Sequence, residues 1–383
     1  MATLAAMENA SGRYSRQERL PGFGPEGQRR LGEASVLVVG CGALGSAVAD
    51  QLARAGIGRL ALVDRDLVEL SNLQRQALYT EQDALRAVPK AEAAKARLAQ
   101  VNSTIVVRAF VDDLRAANAA RYAEGVDLIV DCLDNFETRA VLNDLAVDRR
   151  LPLVYGGAVG AEGMCALLLP AGTADAAGFG GRVRWREARS TPCLRCLMPE
   201  LPRPGEVATC EAAGVLGPAA SLVASIQAAM AIRLLALGAD AVPNELVRVD
   251  LAELSFRTSS LADARDPACA CCAVRRFEHL EGSDPATAHR ILCGRNAVEV
   301  RLGDGLSSDE FARLAGRLST AGPLARSHHG STCVLRVALG AGADDEGARV
   351  LSILSAATGT VAIVDGTRDP EVARSIVARW VGM

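Results

Sequence analysis

The stretch that decides the fold is Val36-Leu37-Val38-Val39-Gly40-Cys41-Gly42-Ala43-Leu44-Gly45. A run of apolar residues leads into a glycine-rich turn, and a helix-forming stretch follows the turn. Glycines permit a tight turn in which backbone N–H groups approach a phosphate or a ribose, and the helix N-terminus adds a partial positive charge. The stretch therefore predicts a nucleotide-binding turn at Gly40, Gly42, Ala43 and Gly45. A tight turn that binds no ligand is the alternative.

Segments on both sides extend this unit into a Rossmann-like α/β fold with a mostly parallel sheet. Between residues 35 and 175, short apolar runs alternate with alanine-rich stretches, which is typical of parallel strands joined by crossover helices. The predicted strands are 36–39, 60–63, 105–110, 128–130 and 153–155, and the predicted helices lie near 44–55, 91–101 and 138–149. Asp64 follows the second strand, where its carboxylate can accept hydrogen bonds from ribose hydroxyls.

The rest of the chain indicates an antiparallel extension and a second unit. A loop-like interval over 171–204 precedes an apolar helix and a ribbon over 247–261 whose alternating pattern indicates antiparallel strands. The pattern then changes to strands at 297–301, 332–337 and 361–364 and helices at 308–318 and 370–381. We therefore predict one domain over residues 1–280 and a small appended α/β domain of unassigned role over 290–383.

Composition and charge exclude several classes of protein. Half of the residues are apolar, which excludes an intrinsically disordered chain. The 42 basic and 45 acidic residues leave no broad basic surface for nucleic acid. The N-terminus lacks a basic head followed by an apolar stretch, so we expect a cytoplasmic protein. The charge-free segment 212–232 is long enough to cross a bilayer, but its alanine, glycine and serine content favours a buried helix.

Four of the eleven cysteines form two pairs with the spacing of metal ligands. Cys193 and Cys196 make the first C-x-x-C pair, and Cys269 and Cys272 make the second. Together they supply the four thiolates of a closed, structural Zn²⁺ site that would tie the antiparallel extension to the core. A redox dithiol is the alternative for either pair alone. Cys271 is a third thiol in the second pair and is left out by its spacing.

Three more motifs surround the glycine-rich turn. They are Arg-Tyr-Ser-Arg-Gln at 13–17, Asp-Arg-Asp-Leu-Val-Glu-Leu-Ser-Asn-Leu-Gln-Arg-Gln at 64–76, and Asp-Cys-Leu-Asp-Asn at 131–135. In this order, the motifs resemble the E1-like activating enzymes of the ThiF, MoeB and HesA superfamily over about residues 13–272. The resemblance implies an ATP-dependent adenylyltransferase that activates the C-terminal glycine of a ubiquitin-like sulfur carrier protein ending in Gly-Gly. Thiamine, molybdopterin and related sulfur-transfer pathways remain open.

The reaction itself requires cations at the site. A carboxylate that attacks an α-phosphate meets another anion, and the departing pyrophosphate accumulates still more negative charge. Arg16, Arg75 and Lys90 are the candidate cations. By resemblance, Arg75 and Lys90 act within the chain, and Arg16 reaches the triphosphate from the second subunit of a homodimer. Asn72 would position the phosphates.

The resemblance assigns the remaining site residues as well. Asp134 would hold Mg²⁺, and Asn135 would lie beside the adenosine. Asp131 shares the strand end with Asp134, so either is open to a structural role, and we predict Asp134 as the ligand because it adjoins the loop. The other predicted nucleotide-binding residues are Asp64, Asp66, Ser71, Leu73 and Gln74. No rhodanese-like loop is recognisable after residue 290, so a separate protein would donate the sulfur.

Cys210 is a candidate nucleophile, because in relatives a thiol at this place lies on a loop and can accept the activated carrier. A buried, unreactive thiol is the alternative. A thioester-forming activator for protein conjugation and a scaffold that binds a carrier without ATP are further alternatives. An NAD-dependent oxidoreductase fits the glycine motif alone, but it leaves Arg16, Asn72 and Arg75 unexplained.

Overall fold

Two β-sheets, each with its own helices, form the protein in the computed structural model. The structure describes residues 12–171, 189–200, 202, 213–281, 289–292, 297–329, 332–339, 349–356 and 359–381. We call the described residues up to 281 the N-terminal unit and those from 289 onward the C-terminal unit. A mostly parallel first sheet with flanking helices and a separate second sheet confirm the predicted α/β fold class.

Five parallel strands form the half of the first sheet that carries the nucleotide motifs. They are β1 (Ser35–Val39), β2 (Arg59–Val63), β3 (Val106–Phe110), β4 (Leu128–Asp131) and β5 (Leu153–Val159). β1 pairs in parallel with β2 on one side and with β4 on the other, so the strand order reverses between β1 and β4. In open α/β sheets, ligands bind beyond the carboxyl ends of the strands at this reversal. Gly40 follows β1 directly at that edge.

Three antiparallel strands extend this sheet beyond β5. They are β6 (Glu162–Leu168), β7 (Glu245–Asp250) and β8 (Ser255–Ser260), which gives the order β3-β2-β1-β4-β5-β6-β7-β8. β7 and β8 confirm the antiparallel ribbon predicted over 247–261. β6 is not among the predicted strands, because only two residues separate it from β5 and the two strands follow each other as one largely apolar stretch.

Helices cover both faces of the first sheet. They are α1 (Ser15–Glu18), α2 (Gly24–Glu33), α3 (Ala43–Ala55), α4 (Glu81–Leu85), α5 (Lys90–Val101), α6 (Ala116–Tyr122), α7 (Phe136–Arg149), α8 (Leu194–Leu197), α9 (Gly217–Leu237) and α10 (Glu278–Glu281). Alternate residues of β1 point to opposite faces. Val36 and Val38 pack with α3 and α9, whereas Leu37 and Val39 pack with α6 and α7. The parallel strands are therefore buried on both faces.

Among the described helices, α9 alone is long and apolar enough to cross a membrane. It packs against α2, α3, β5 and β6, and 56% of its most apolar 18-residue window is buried inside the protein. Gln227 in its middle donates a hydrogen bond from Nε2 to the Asp131 carbonyl oxygen at 2.8 Å. The buried helix predicted within 212–232 is confirmed, with its first residue at Gly217.

The C-terminal unit is an antiparallel sheet with two helices. Its strands are β9 (His289–Leu292), β10 (Ala297–Gly303), β11 (Leu324–His329), β12 (Thr332–Leu339), β13 (Arg349–Ala356) and β14 (Gly359–Asp365), in the order β11-β12-β13-β14-β10-β9. α11 (Ser308–Leu318) and α12 (Pro370–Val381) pack on one face of this sheet. β10, β12 and β14 contain the three predicted strands, whereas β9, β11 and β13 are not among the predictions.

Candidate active site and cysteine cluster

The glycine-rich turn is so tight that side chains do not fit at two of its positions. Gly40 has a φ of 88°, and a Cβ there would lie 2.7 Å from the Cys132 carbonyl oxygen. A Cβ at Gly45 would lie 1.8 Å from the Gly40 carbonyl oxygen. At Gly42 the nearest atom to such a Cβ is Gln76 Nε2 at 3.9 Å, and the 13-residue helix α3 begins directly after it. The turn therefore presents a helix N-terminus, a favourable place for an anion.

Asp64 holds this turn against the end of β2. Its Oδ2 accepts a hydrogen bond from the Cys41 N–H at 2.6 Å, and its Oδ1 accepts one from the Asp66 N–H at 2.7 Å. Burial raises the pKa of Asp64 to about 6, against the opposing effect of the Lys90 ammonium group. The carboxylate that the sequence predicts for ribose contact thus also fixes the backbone of the turn.

Lys90 is a buried ammonium group beside these carboxylates. Its residue surface is only 7% exposed, and its Nζ lies 2.9 Å from Asp66 Oδ2. Burial alone lowers the pKa of Lys90, but the carboxylates of Asp66 and Asp64 raise it above the usual value. Lys90 therefore stays positively charged at the start of α5. The structure brings together three of the residues predicted for the nucleotide.

Asn72 and Arg75 lie in a helical turn farther along the chain from β2. Asn72 is buried, and its Oδ1 accepts a hydrogen bond from the Glu69 N–H at 3.1 Å. Arg75 is half-buried and donates from Nη1 to the Ser71 carbonyl oxygen at 2.9 Å. The other predicted residues of this turn are Ser71, Leu73 and Gln74. The amide of Asn72 is therefore fixed by its own turn, while the guanidinium of Arg75 reaches back over the same turn.

Arg139 is a buried residue of the site that sequence reasoning missed. Its Nε lies 3.5 Å from Asp131 Oδ2, and its guanidinium donates to the Tyr155 hydroxyl at 3.2 Å and to the Gly156 carbonyl oxygen at 2.7 Å. It also donates to the Leu133 carbonyl oxygen. Asp131 is fully buried in this network, which favours the structural role for this residue of the pair.

Asp134 and Asn135 stand at the start of α7. Asn135 Oδ1 accepts a hydrogen bond from the Thr138 N–H at 2.9 Å and so caps the helix. Asp134 is exposed, in contrast to the buried Asp131 on the same strand end. A carboxylate oxygen is the donor that Mg²⁺ prefers. Asp134 is therefore the aspartate of this pair that a metal ion in solvent can reach.

Two predicted catalytic residues fall outside this group. Arg16 is exposed on α1. The neighbouring Gln17 donates from Nε2 to the Ala55 carbonyl oxygen at 3.0 Å, which anchors α1 to the end of α3. Cys210 lies outside the described residues, as does most of the predicted loop over 171–204.

The four predicted metal ligands form one cluster. The Sγ atoms of Cys193, Cys196, Cys269 and Cys272 all lie within 4.8 Å of one another. Three of the S–S distances are 3.9, 3.7 and 3.4 Å. Four thiolates about 2.3 Å from a tetrahedral Zn²⁺ lie about 3.8 Å apart, so the sulfur positions fit this ion.

The middle of α7 supports both cysteine pairs. Asn143 Oδ1 accepts a hydrogen bond from the Leu194 N–H at 2.8 Å, and its Nδ2 donates to Cys271 Sγ at 3.3 Å. The adjacent Asp144 accepts one from the His279 N–H at 2.9 Å. Sequence reasoning missed these residues; the available signal is the presence of polar side chains on the buried face of a predicted helix.

Comparison with known proteins agrees with this geometry. The ThiF family matches residues 14–271. The sulfur carrier protein ThiS adenylyltransferase of Bacillus subtilis is 38% identical over 373 residues, which cover 97% of this chain and 100% of that protein. A sulfur carrier protein adenylyltransferase of Thermus thermophilus is 40% identical over 260 residues, which cover 68% of this chain and 90% of the relative.

A solved structure supports the fold alone. A crystal structure of E. coli MccB has a TM-score of 0.56 and 24% identity, and the match covers 69% of this chain and 75% of MccB. The fold and the site define an E1-like enzyme of the adenylyltransferase class. The chain belongs to the ThiF family.

Proposed function

We propose that this protein uses ATP to adenylate the C-terminal glycine of a ubiquitin-like sulfur carrier that ends in Gly-Gly. The observation that carries the proposal is the buried Lys90–Asp66 pair beside the glycine-rich turn, in a chain whose relatives are named for this activity. Similarity to the Bacillus subtilis ThiS adenylyltransferase extends over both units, and this favours a ThiS-type carrier over a molybdopterin carrier.

In the proposed reaction, an oxygen of the carrier carboxylate attacks the α-phosphorus of ATP. The bond from that phosphorus to the bridging oxygen breaks, and the products are an acyl adenylate and pyrophosphate. Lys90 is held in its charged form by two carboxylates and offsets the charge that develops on the phosphates. Arg75 would act from the same chain, Arg16 would act from the second subunit of a homodimer, and Asn72 would orient the phosphates.

The proposal includes two metal ions. Asp134, exposed in the loop between β4 and α7, would hold Mg²⁺, which would supply further positive charge beside the phosphates. Cys193, Cys196, Cys269 and Cys272 would hold Zn²⁺ in a closed four-sulfur site. The zinc site is structural in this proposal, because it fastens α8 to the segment that follows β8.

Residues 1–280 form the adenylation domain of a cytoplasmic enzyme, and residues 290–383 form an appended domain. A separate protein donates the sulfur. The Cys210 thiolate attacks the acyl carbon of the adenylate, and AMP leaves, so that the carrier is held briefly as a thioester.

Exchange of labelled pyrophosphate into ATP tests the proposal. We expect exchange in the presence of a ThiS-type carrier and Mg²⁺, and none with the same carrier shortened by its two terminal glycines. Absence of exchange with every Gly-Gly-ended carrier would overturn the proposal. Binding of NAD and not of ATP by the purified protein, measured by calorimetry, would favour the oxidoreductase alternative instead.

A further inference from the structure

The segment that follows β2 lies between the nucleotide motifs and the C-terminal unit. Asp64 contacts the glycine-rich turn, and Asp66 contacts Lys90. The residues between and after them, Arg65 and Leu67, contact the C-terminal unit. Successive side chains of an extended segment point to opposite sides. One short segment therefore carries nucleotide-site carboxylates on one side and the contact with the C-terminal unit on the other.

An ion-pair cluster forms the polar part of this contact. Arg65 Nη1 lies 3.0 Å from Asp113 Oδ2 and 3.3 Å from Glu299 Oε2. Glu299 lies on β10 and is only 6% exposed. Burial lowers the pKa of Arg65, but the carboxylates of Asp113 and Glu299 raise it above the usual value. Loss of Arg65 would remove this cation from the buried Glu299, whereas loss of Glu299 leaves Arg65 paired with Asp113 but removes the attraction between the two units.

Apolar residues continue the contact beside the ion pairs. Leu67 and Ala87 of the N-terminal unit pack against the sheet of the C-terminal unit. The residues they meet there are Ala297, Val334, Leu354 and Ile363. Ala87 has a φ of 50°, a left-handed conformation that favours glycine, yet its methyl group is buried in this cluster. The side chain of Ala87 is thus part of the contact between the units.

Backbone pairing connects this contact to the candidate catalytic lysine. The stretches 66–68 and 88–90 form a short antiparallel ladder. Within it, the Lys90 N–H donates to the Asp66 carbonyl oxygen at 2.8 Å, in addition to the pairing of their side chains. The C-terminal unit packs against the outer side of this ladder. Loss of that packing would let the backbone at Asp66 and Lys90 move.

We propose that the C-terminal unit braces the nucleotide site and that Glu299 is a positioning residue for Lys90, acting through Arg65. The inference rests on the proposed use of ATP by this site. Glu299 lies outside the residues 14–271 that match the ThiF family. The brace fixes the ladder before the nucleotide arrives, so ATP affinity depends on a carboxylate that does not itself touch ATP.

Glu299→Gln in the full-length protein tests the brace, because it removes the charge and keeps the shape of the side chain. Two measurements are made without carrier: ATP affinity by calorimetry, and hydrogen exchange of the Val68 and Lys90 amides. We expect the ATP dissociation constant to rise about tenfold and both amides to exchange faster. Glu299→Asp keeps the charge and should restore part of the ATP affinity and of the amide protection. Glu371→Gln is the control, because it removes a charge from an exposed ion pair on α12, and it should change neither quantity.

A second variant covers the case in which Glu299→Gln does not fold. Ala87→Gly removes one buried methyl group from the contact, and glycine adopts the left-handed backbone of this position without strain. Because the contact is weakened, we expect the ATP dissociation constant to rise about threefold. When pyrophosphate exchange by the Ala87→Gly variant is measured, KM for ATP should rise while kcat changes little.

The brace is overturned if Glu299→Gln keeps the wild-type rates of amide exchange and the wild-type ATP affinity. It is also overturned if Glu371→Gln speeds amide exchange or weakens ATP binding as much as Glu299→Gln does. Faster amide exchange with unchanged ATP affinity overturns it too, because the ladder would then be loose without consequence for the nucleotide. If the wild-type protein binds no ATP, the proposed function fails, and the amide exchange alone decides whether Glu299 holds the ladder.

Discussion

Asp131 and Arg139 form an ion pair beneath the loop that carries Asp134, with 3.5 Å between Oδ2 and Nε. Asp131 has no exposed surface, and Arg139 is 5% exposed. Burial raises the pKa of Asp131, and the Arg139 guanidinium opposes that shift. Arg139 also donates to the Gly156 carbonyl oxygen at 2.7 Å, so the pair fixes the end of β4 to β5.

Arg139→Met is expected to lower the free energy of unfolding by about 3–5 kcal/mol, because it leaves the buried Asp131 without its cation. The double variant Asp131→Asn, Arg139→Met should be more stable than this single variant. Urea unfolding at pH 7 measures both. Arg54→Met, which breaks an exposed pair with Asp50, is the control and should change stability little. Equal losses in Arg54→Met and Arg139→Met would contradict the prediction.

Lys90→Met should lower carrier-dependent pyrophosphate exchange by about 10²–10³-fold, since it removes a preorganised cation from the phosphates. Lys95→Met is the matched control. Lys95 lies on the same helix, where its Nζ is 3.5 Å from Glu92 Oε2 and its side chain is 42% exposed. We expect the control to keep its activity, with thermal melts used to check that both variants fold. If Lys90→Met catalysed pyrophosphate exchange at the wild-type rate, the role of Lys90 at the phosphates would be refuted.

The raised pKa of Asp64 predicts a loss of stability as pH rises from about 4 to 6. The folded chain holds this proton with a pKa of about 6, whereas the usual value is 3.8. Between these values the folded state binds more protons than the unfolded state, so the free energy of unfolding falls with increasing pH. Asp64→Asn should remove this contribution. The urea midpoints of the wild type and of Asp64→Asn, measured from pH 4 to 7, check this prediction. If the two midpoints changed with pH in parallel, the prediction would be contradicted.

Cys210→Ala separates adenylation from thioester formation. Pyrophosphate exchange needs no thiol, so we expect it to persist in this variant, whereas a carrier adduct that dithiothreitol cleaves should disappear. Cys333→Ala, which changes a half-buried thiol of the C-terminal unit, should keep both. Denaturing gels with and without reductant give the readout. An adduct that survives in Cys210→Ala would assign the thioester elsewhere.

The parts of the fold that follow from local pattern were predictable from the sequence. The glycine-rich turn and the strands beside it are contiguous in sequence, and the two cysteine pairs carry their own spacing. The roles of Arg139 and Asn143 were not predictable in this way, because their partners lie on other structural elements and not on α7 itself. Arg139 meets Tyr155, and Asn143 meets Cys271. Such contacts form when helix α7 packs against the rest of the protein, and the helical periodicity of its sequence does not predict them.

The contact between the two units was equally hidden. Glu299 lies 234 residues after Arg65, and an isolated glutamate in a strand pattern is indistinguishable from an exposed one. β13 was missed for a related reason. Its residues Arg349–Ala356 pair with β12 on one side and with β14 on the other, so the burial of this strand follows from its inner place in the sheet. The candidate nucleotide-site residues were thus easier to predict from local pattern than the contacts that hold them.

The cysteine cluster predicts about one zinc ion per chain in protein purified without chelator. Cys272→Ser should lose most of this metal, because it removes one of the four clustered sulfur atoms. Cys271→Ser is the matched control at the adjacent position. Its sulfur accepts a hydrogen bond from Asn143 and lies outside the four-sulfur cluster, so zinc should remain. Elemental analysis of the wild type and both variants decides between the two residues. If Cys271→Ser loses zinc and Cys272→Ser keeps it, Cys271 is the ligand in place of Cys272. A wild-type protein without metal would favour the redox dithiol.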